Sequence, residues 1–153
     1  MTQHQTLVPE TDRELEIERD FDAPIETLFD AWTNQDVLRK WMGPQGMSCP
    51  DATCEAKLGG EYCFPMMGES GEPHTVVGAF TEFAPPHSLS FTWSWIQEDG
   101  TSGHQMEVFV KFKALESGKT RMTLLHTNFI DLEAKSRHEE GWNSTLVCLK
   151  DLI

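Results

Sequence analysis

Between Glu14 and Phe21 the chain alternates, with Leu15, Ile17, Arg19 and Phe21 on one side and Glu14, Glu16, Glu18 and Asp20 on the other. A period of two with one charged face predicts a strand half exposed to water. Asp22-Ala23-Pro24 breaks the pattern, and Pro24 suits the first turn of a helix, where its missing N–H does no harm. Ile25, Leu28, Phe29 and Trp32 then recur at helical spacing. Thr33 or Asn34 is fit to cap a second short helix that carries Val37, Leu38 and Trp41 inward. Met42-Gly43-Pro44 and Gly46 stop it.

From Asp51 to Thr127 the signals are strands with turns between them. Leu58-Gly59-Gly60 turns into Tyr62, Phe64 and Met66, and a polar loop from Gly68 to Pro73 leads to a strand over Thr75 to Phe83. Beyond the turn at Ala84-Pro85-Pro86-His87, Leu89, Phe91, Trp93 and Trp95 alternate with Ser90, Thr92 and Ser94. A hairpin at Glu98-Asp99-Gly100 precedes Met106, Val108, Val110 and Phe112, and a turn at Glu116-Ser117-Gly118 precedes Met122, Leu124 and His126. The last segment reads as one helix from an Asp131 cap to Ile153, with His138, Trp142, Leu146, Leu149 and Ile153 on one stripe. Strand, two short helices, a meander of about six strands and a long helix is an α+β order. Short connections make the sheet antiparallel, and its concave side is expected to wrap the long helix around an apolar cavity.

Composition narrows the function. The length of 153 residues suits one domain, expected over residues 13–153 behind a polar tail over residues 1–12. A net charge of −13 opposes nucleic acid and anionic lipid, both of which are held by clustered cations. No apolar run approaches the roughly 20 residues of a membrane-spanning helix, and Met1 to Asp12 has no leader pattern, so a cytoplasmic location is expected. Cys49, Cys54, Cys63 and Cys148 lack the C-x2-C spacing of zinc sites. They are expected as reduced thiols, Cys63 and Cys148 as small buried hydrophobes. No structural metal, disulfide or cofactor is expected.

The order of several short motifs resembles a known family. Phe21-Asp22-Ala23-Pro24 through Ala31-Trp32-Thr33, Trp41-Met42-Gly43-Pro44, Leu58-Gly59-Gly60-Glu61-Tyr62, Gly78-Ala79-Phe80, the Leu89 to Trp95 strand, Thr120 to His126 and Gly141-Trp142 with Leu146 and Leu149 are similar to the motifs of the activator of heat-shock-protein-90 ATPase homologue-like domain. The resemblance covers roughly residues 13 to 153 and implies the helix-grip fold of the START-related, Bet v-like (SRPBCC) superfamily. It also implies a cavity for lipids, sterols, polyketides or other apolar molecules, with cyclases and hydrolases as a minority. The chaperone activator that names the family also uses a separate N-terminal domain, for which this chain has no room.

The candidate ligand-binding residues are Trp41, Phe64, Met66, Trp93, Trp95, Met106, His126, Trp142 and Leu146. Trp93, Trp95, Trp142, Phe64 and Met66 are expected to converge from different elements, as flat apolar walls with indole donors; ordinary core packing is the alternative for each. His126 and His138 read as hydrogen-bonded core residues, with a catalytic base or a ligand donor as the alternatives. No serine or cysteine stands in a nucleophile context such as G-x-S-x-G, so no catalytic residue is assigned. Gly59-Gly60 lacks the following Lys-Ser or Lys-Thr of a phosphate loop and is a turn. Gly141 inside the last helix is expected where something approaches closely, a strand first and a ligand as the alternative. The leading reading is a module that binds a small apolar ligand. An enzyme of the same fold and a chaperone-assisting interaction domain are the alternatives, with homodimer formation left open.

Overall fold

Alternation and helical stripes fold where the pattern puts them. In the computed structural model, which describes residues 13–153, strand β1 (Leu15–Phe21) leads into helices α1 (Ile25–Thr33) and α2 (Gln35–Trp41). A meander of β2 (Thr53–Cys54), β3 (Glu61–Met67), β4 (Pro73–Ala84), β5 (Ser88–Trp95), β6 (Met106–Ala114) and β7 (Thr120–Thr127) follows, then helix α3 (Leu132–Leu152). The tail expected over residues 1–12 lies outside the described residues.

The seven strands form one antiparallel sheet in the order β1-β7-β6-β5-β4-β3-β2. Only β1 leaves chain order, pairing with β7. Register builds the inner face in rows: Leu89, Val110, Leu124 and Ile17 lie abreast, as do Phe91, Val108, His126 and Leu15. All eight are buried. His126 is thus the one imidazole in a row of apolar side chains.

Helix ends follow capping chemistry. Asn34, between α1 and α2, accepts the Asp36 N–H on its side chain at 3.0 Å, and Asp131 accepts the Ala134 N–H at 2.8 Å. Pro24 stands one residue before α1, and its carbonyl accepts the Leu28 N–H at 3.1 Å. Helix α3 buries Ala134, Trp142, Thr145, Leu146 and Leu149. Two further bonds tie it down: Arg19 Nη2 of β1 donates to Asn143 Oδ1 at 2.5 Å, and the Gln45 N–H donates to Ser144 Oγ at 2.8 Å.

Close approaches force glycine at Gly60, where a Cβ would stand 2.1 Å from the Glu55 carbonyl oxygen, and at Gly78. Tyr62 on β3 lies opposite Gly78 on β4, and its phenol crosses that bare backbone to donate to the Thr92 carbonyl of β5. A Cβ at Gly78 would stand 2.0 Å from the Thr92 oxygen and 2.7 Å from the Tyr62 ring. Only glycine leaves that passage open.

Three local expectations are corrected. A Cβ at Gly141 would meet nothing within 4 Å, so no strand approaches α3 there. Cys63 and Cys148 are half-buried rather than buried, and the buried cysteine is Cys49. Cys63 alternates outward on β3 between the inward Tyr62 and Phe64, and that pleat position decides its exposure. His138 and Ile153, at the ends of the α3 stripe, are likewise only half-buried. All four cysteines are free thiols.

Candidate functional site

The space between sheet and helices is filled by rings rather than left open as a ligand-sized cavity. A void among the described residues has a volume of about 10 Å³ and is lined by Trp32, Leu38, Met42, Tyr62, Phe64, Phe80 and Phe91. That is about the space of a single water. Large flat side chains from four elements account for the filling. Trp142 of α3 packs 5.1 Å from Trp93 and 5.9 Å from Trp32, measured between ring centroids. Trp32 in turn stands 4.9 Å from Trp41 and 6.4 Å from Phe91.

The expected residues therefore fall into two connected groups. Trp93, Trp95, His126 and Trp142 meet at one end: Trp93 lies 5.7 Å from Trp95 and 5.8 Å from His126. Phe64 and Met66 lie toward the other end, Phe64 on the void wall and 4.5 Å from Tyr62. Met106 is the register partner of Trp93 on β6. Trp41 and Leu146 are buried core, and the Trp41 indole is occupied by the Ala31 carbonyl at 2.8 Å. Trp95 is half-buried at the rim.

Two indole–imidazole bonds organise the first group. Trp142 Nε1 donates to His126 Nδ1 at 3.0 Å, and Trp95 Nε1 donates to His138 Nε2 at 3.0 Å. An indole N–H only donates, so each accepting nitrogen is unprotonated. His138 then carries its proton on Nδ1, which faces the Ala134 carbonyl at 2.7 Å. His126 carries its proton on Nε2. Burial, with the nearby His138 adding to it, pushes the His126 pKa well below the usual imidazole range. Burial also lowers that of His138, against the Ala134 hydrogen bond. Both rings are kept neutral. Phe129 closes the group, stacked on His126 at 4.4 Å, with its N–H held by the Arg13 carbonyl at 3.0 Å.

Three buried nitrogens have no hydrogen-bond partner among the described residues: Trp32 Nε1, Trp93 Nε1 and His126 Nε2. Sequence patterning placed these rings inward but had no means of finding their missing acceptors. It also did not assign Trp32, Tyr62, Phe80 and Phe91 to the void wall, although three of them alternate inward on strands and Trp32 sits on the α1 stripe.

A methionine borders the void. Met42 lines it, and a Cβ at Gly43 (φ +120°) would stand 3.7 Å from Met47 Cβ and 3.8 Å from Met66 Cγ. The α2–β2 turn thus rests on flexible thioether side chains that repack readily. A larger, mixed-polarity groove of about 680 Å³ lies on the opposite face of the sheet, lined by Cys63, Val77, Ala79, Thr92, Ser94 and neighbours, together with Gln35 and Gln105. Outward Thr92 and Ser94 are small, and that makes the hollow. Among the described residues no group of three or more His, Cys, Asp or Glu is arranged to hold a metal ion. No described helix is long and apolar enough to cross a membrane.

A curved antiparallel sheet gripping a C-terminal helix, with two short helices after the first strand, defines the helix-grip class of the SRPBCC, or Bet v1-like, superfamily. The chain belongs to the family described as activator of Hsp90 ATPase homolog 1-like protein, whose model matches residues 22–153. Among solved structures, the AHSA1 protein of Silicibacter pomeroyi is 32% identical, with a TM-score of 0.83 over 90% of this chain and 95% of that one. A protein of Arthrobacter aurescens solved by NMR is 25% identical, with a TM-score of 0.78 over 92% of this chain and 85% of that one. An Hsp90 activator of Plasmodium falciparum shares the fold at 23% identity and a TM-score of 0.69, covering 92% of this chain and 95% of that one. No curated protein matches the chain.

Proposed function

We propose that this protein is a binding module that takes a small apolar molecule between the inner face of the sheet and the helices, at the void beside Trp32, Phe64 and Phe91. The observation that carries this reading is the void itself, an aromatic-walled space lined by Met42, with Met47 and Met66 packed beside the following Gly43. Entry requires the methionines and the α2–β2 turn to give way, which unbranched thioethers do at small cost. Removing about 250 Å² of ligand surface from water gains about 6 kcal/mol at 25 cal/mol/Å². Immobilising the ligand returns part of that, which leaves dissociation constants of roughly 0.1 mM for simple apolar probes. Native mass spectrometry of freshly purified protein tests the reading. A bound species of a few hundred daltons that 2-acetylnaphthalene displaces supports it. An unliganded protein that also fails to retain that ketone at millimolar concentration refutes it.

The filled interior favours a second reading, a surface interaction domain. Family membership and the fold shared with an Hsp90 activator make a chaperone the partner to try, with the outer-face groove as the contact surface. Binding of purified Hsp90 that Ala79→Arg abolishes, with the interior left intact, would establish it.

A further inference from the structure

The unpaired nitrogens of the interior are all donors. Indole Nε1 of Trp32 and Trp93 can only donate. His126 Nε2 is a donor as well, because Nδ1 accepts from Trp142 and burial keeps the ring neutral. The rings that carry these donors surround one side chain: Trp142 lies 5.9 Å from Trp32, 5.1 Å from Trp93 and 6.3 Å from His126. The buried polar atoms left over at the aromatic cluster are thus three N–H groups, with no buried side-chain acceptor unpaired among the described residues. At the void a water would find, among the lining side chains, only the Trp32 N–H as donor and the Tyr62 oxygen, whose proton goes to Thr92, as acceptor, the minimum of two polar partners that holds a water.

Chemistry fixes what complements such a site. A ligand oxygen that accepts hydrogen bonds would satisfy buried donors that otherwise stand desolvated and unpaired. A carboxylate would have to leave water without a cation to meet it, since among the described residues no lysine or arginine belongs to the buried core, and the protein's net charge of −13 repels it on approach. A purely hydrocarbon ligand would leave the donors as they are.

Building on the binding reading above, we propose that the ligand is an uncharged apolar molecule bearing a carbonyl oxygen, seated at the void with that oxygen on the N–H of Trp32, the unpaired donor among the void-lining side chains. The rest of the molecule lies in the aromatic-walled space toward Phe64 and Phe91. This assigns a polar role to Trp32, which otherwise reads as core, and makes its indole N–H the determinant of specificity.

The test compares 2-acetylnaphthalene with 2-isopropenylnaphthalene, which replaces the carbonyl oxygen by a methylene of similar shape, and with 2-naphthoate. Equilibrium dialysis against the whole protein measures retention of each. The ketone is expected to bind about tenfold more tightly than the alkene, the discrimination one buried hydrogen bond provides. The preference should shrink toward unity in Trp32→Phe, with alkene affinity little changed, and persist in Trp93→Phe. If those variants do not fold, the infrared stretch of ¹³C-carbonyl ketone bound to the unaltered protein decides, a shift to lower frequency being the hydrogen-bonded signature. Equal retention of ketone and alkene, with a carbonyl stretch as in a hydrocarbon solvent, overturns the carbonyl assignment and leaves the binding module standing. Tighter binding of 2-naphthoate than of the ketone overturns the uncharged assignment. Retention of none of the three overturns the binding module and this proposal with it.

Discussion

The indole N–H of Trp142, in the middle of α3, donates to Nδ1 of His126, on the inner face of the sheet near the end of β7. Helix and sheet are joined by a buried hydrogen bond inside an apolar core, where such bonds are costly to leave half made. Trp142→Phe removes the donor, strands His126 Nδ1 and leaves a space where the indole stood. It is expected to lower stability by about 2–4 kcal/mol in urea unfolding. Trp95→Phe breaks the parallel bond to half-buried His138 at the rim and should cost about 1 kcal/mol. Equal losses for the two would mean that the buried pair has no special role in holding α3.

Neutral histidines in the core make stability fall in mild acid. Both His126 and His138 have folded-state pKa values below the ordinary 6.5, so the unfolded chain binds protons first as pH drops. Their contribution is complete above about pH 6.5 and declines below it, with a slope approaching about 1.4 kcal/mol per pH unit for each fully neutral ring. Exposed Asp20 and Asp99 act in a separate, lower window. Their carboxylates are held below the usual 3.8 by hydrogen bonds from Arg121 and Thr101 respectively, so their contribution fades only as pH falls past that value. Urea titrations between pH 7.5 and 5 should show the first window, and His138→Gln should reduce its slope. A flat profile there would contradict neutral burial of the imidazoles.

Two glycines should respond to alanine in opposite directions. Gly78→Ala drives a methyl into the Thr92 carbonyl and the Tyr62 ring and is expected to cost about 3 kcal/mol or more. Gly141→Ala enters open space on a helix and should stabilise by about 1 kcal/mol, the difference in helix propensity. Thermal melts of the pair check both the strand crossing and the corrected reading of α3.

Much of this architecture was legible in the chain because it rests on period and capping. Strict alternation from Leu89 to Trp95 is a strand with one face inward, and Asp131 before an apolar stripe is a helix start; both are what the structure contains. The edge placement of β1 beside β7, with Leu15 opposite His126, depends on pairing across more than a hundred residues, which no local pattern encodes. Cavity size was not legible for a related reason. Whether Trp93, Trp142 and Trp32 leave space or fill it depends on interlocking of rings from three elements, and inward-facing tryptophans look the same in both cases. Gly141 misled because a helical glycine is usually explained by a neighbour, and here no neighbour stands there.

The claim that the interior binds a ligand is tested most directly by methyl NMR, because methyl groups mark the two candidate surfaces separately. Met42 lines the interior void, while Ala79 lines the outer groove. Protein labelled with ¹³C at methionine and alanine methyls is titrated with 2-acetylnaphthalene up to 1 mM. Saturable shifts of the Met42 methyl are expected, with a midpoint of roughly 0.1 mM and no shift at Ala79. Shifts confined to Ala79, or none anywhere across that range, would contradict interior binding.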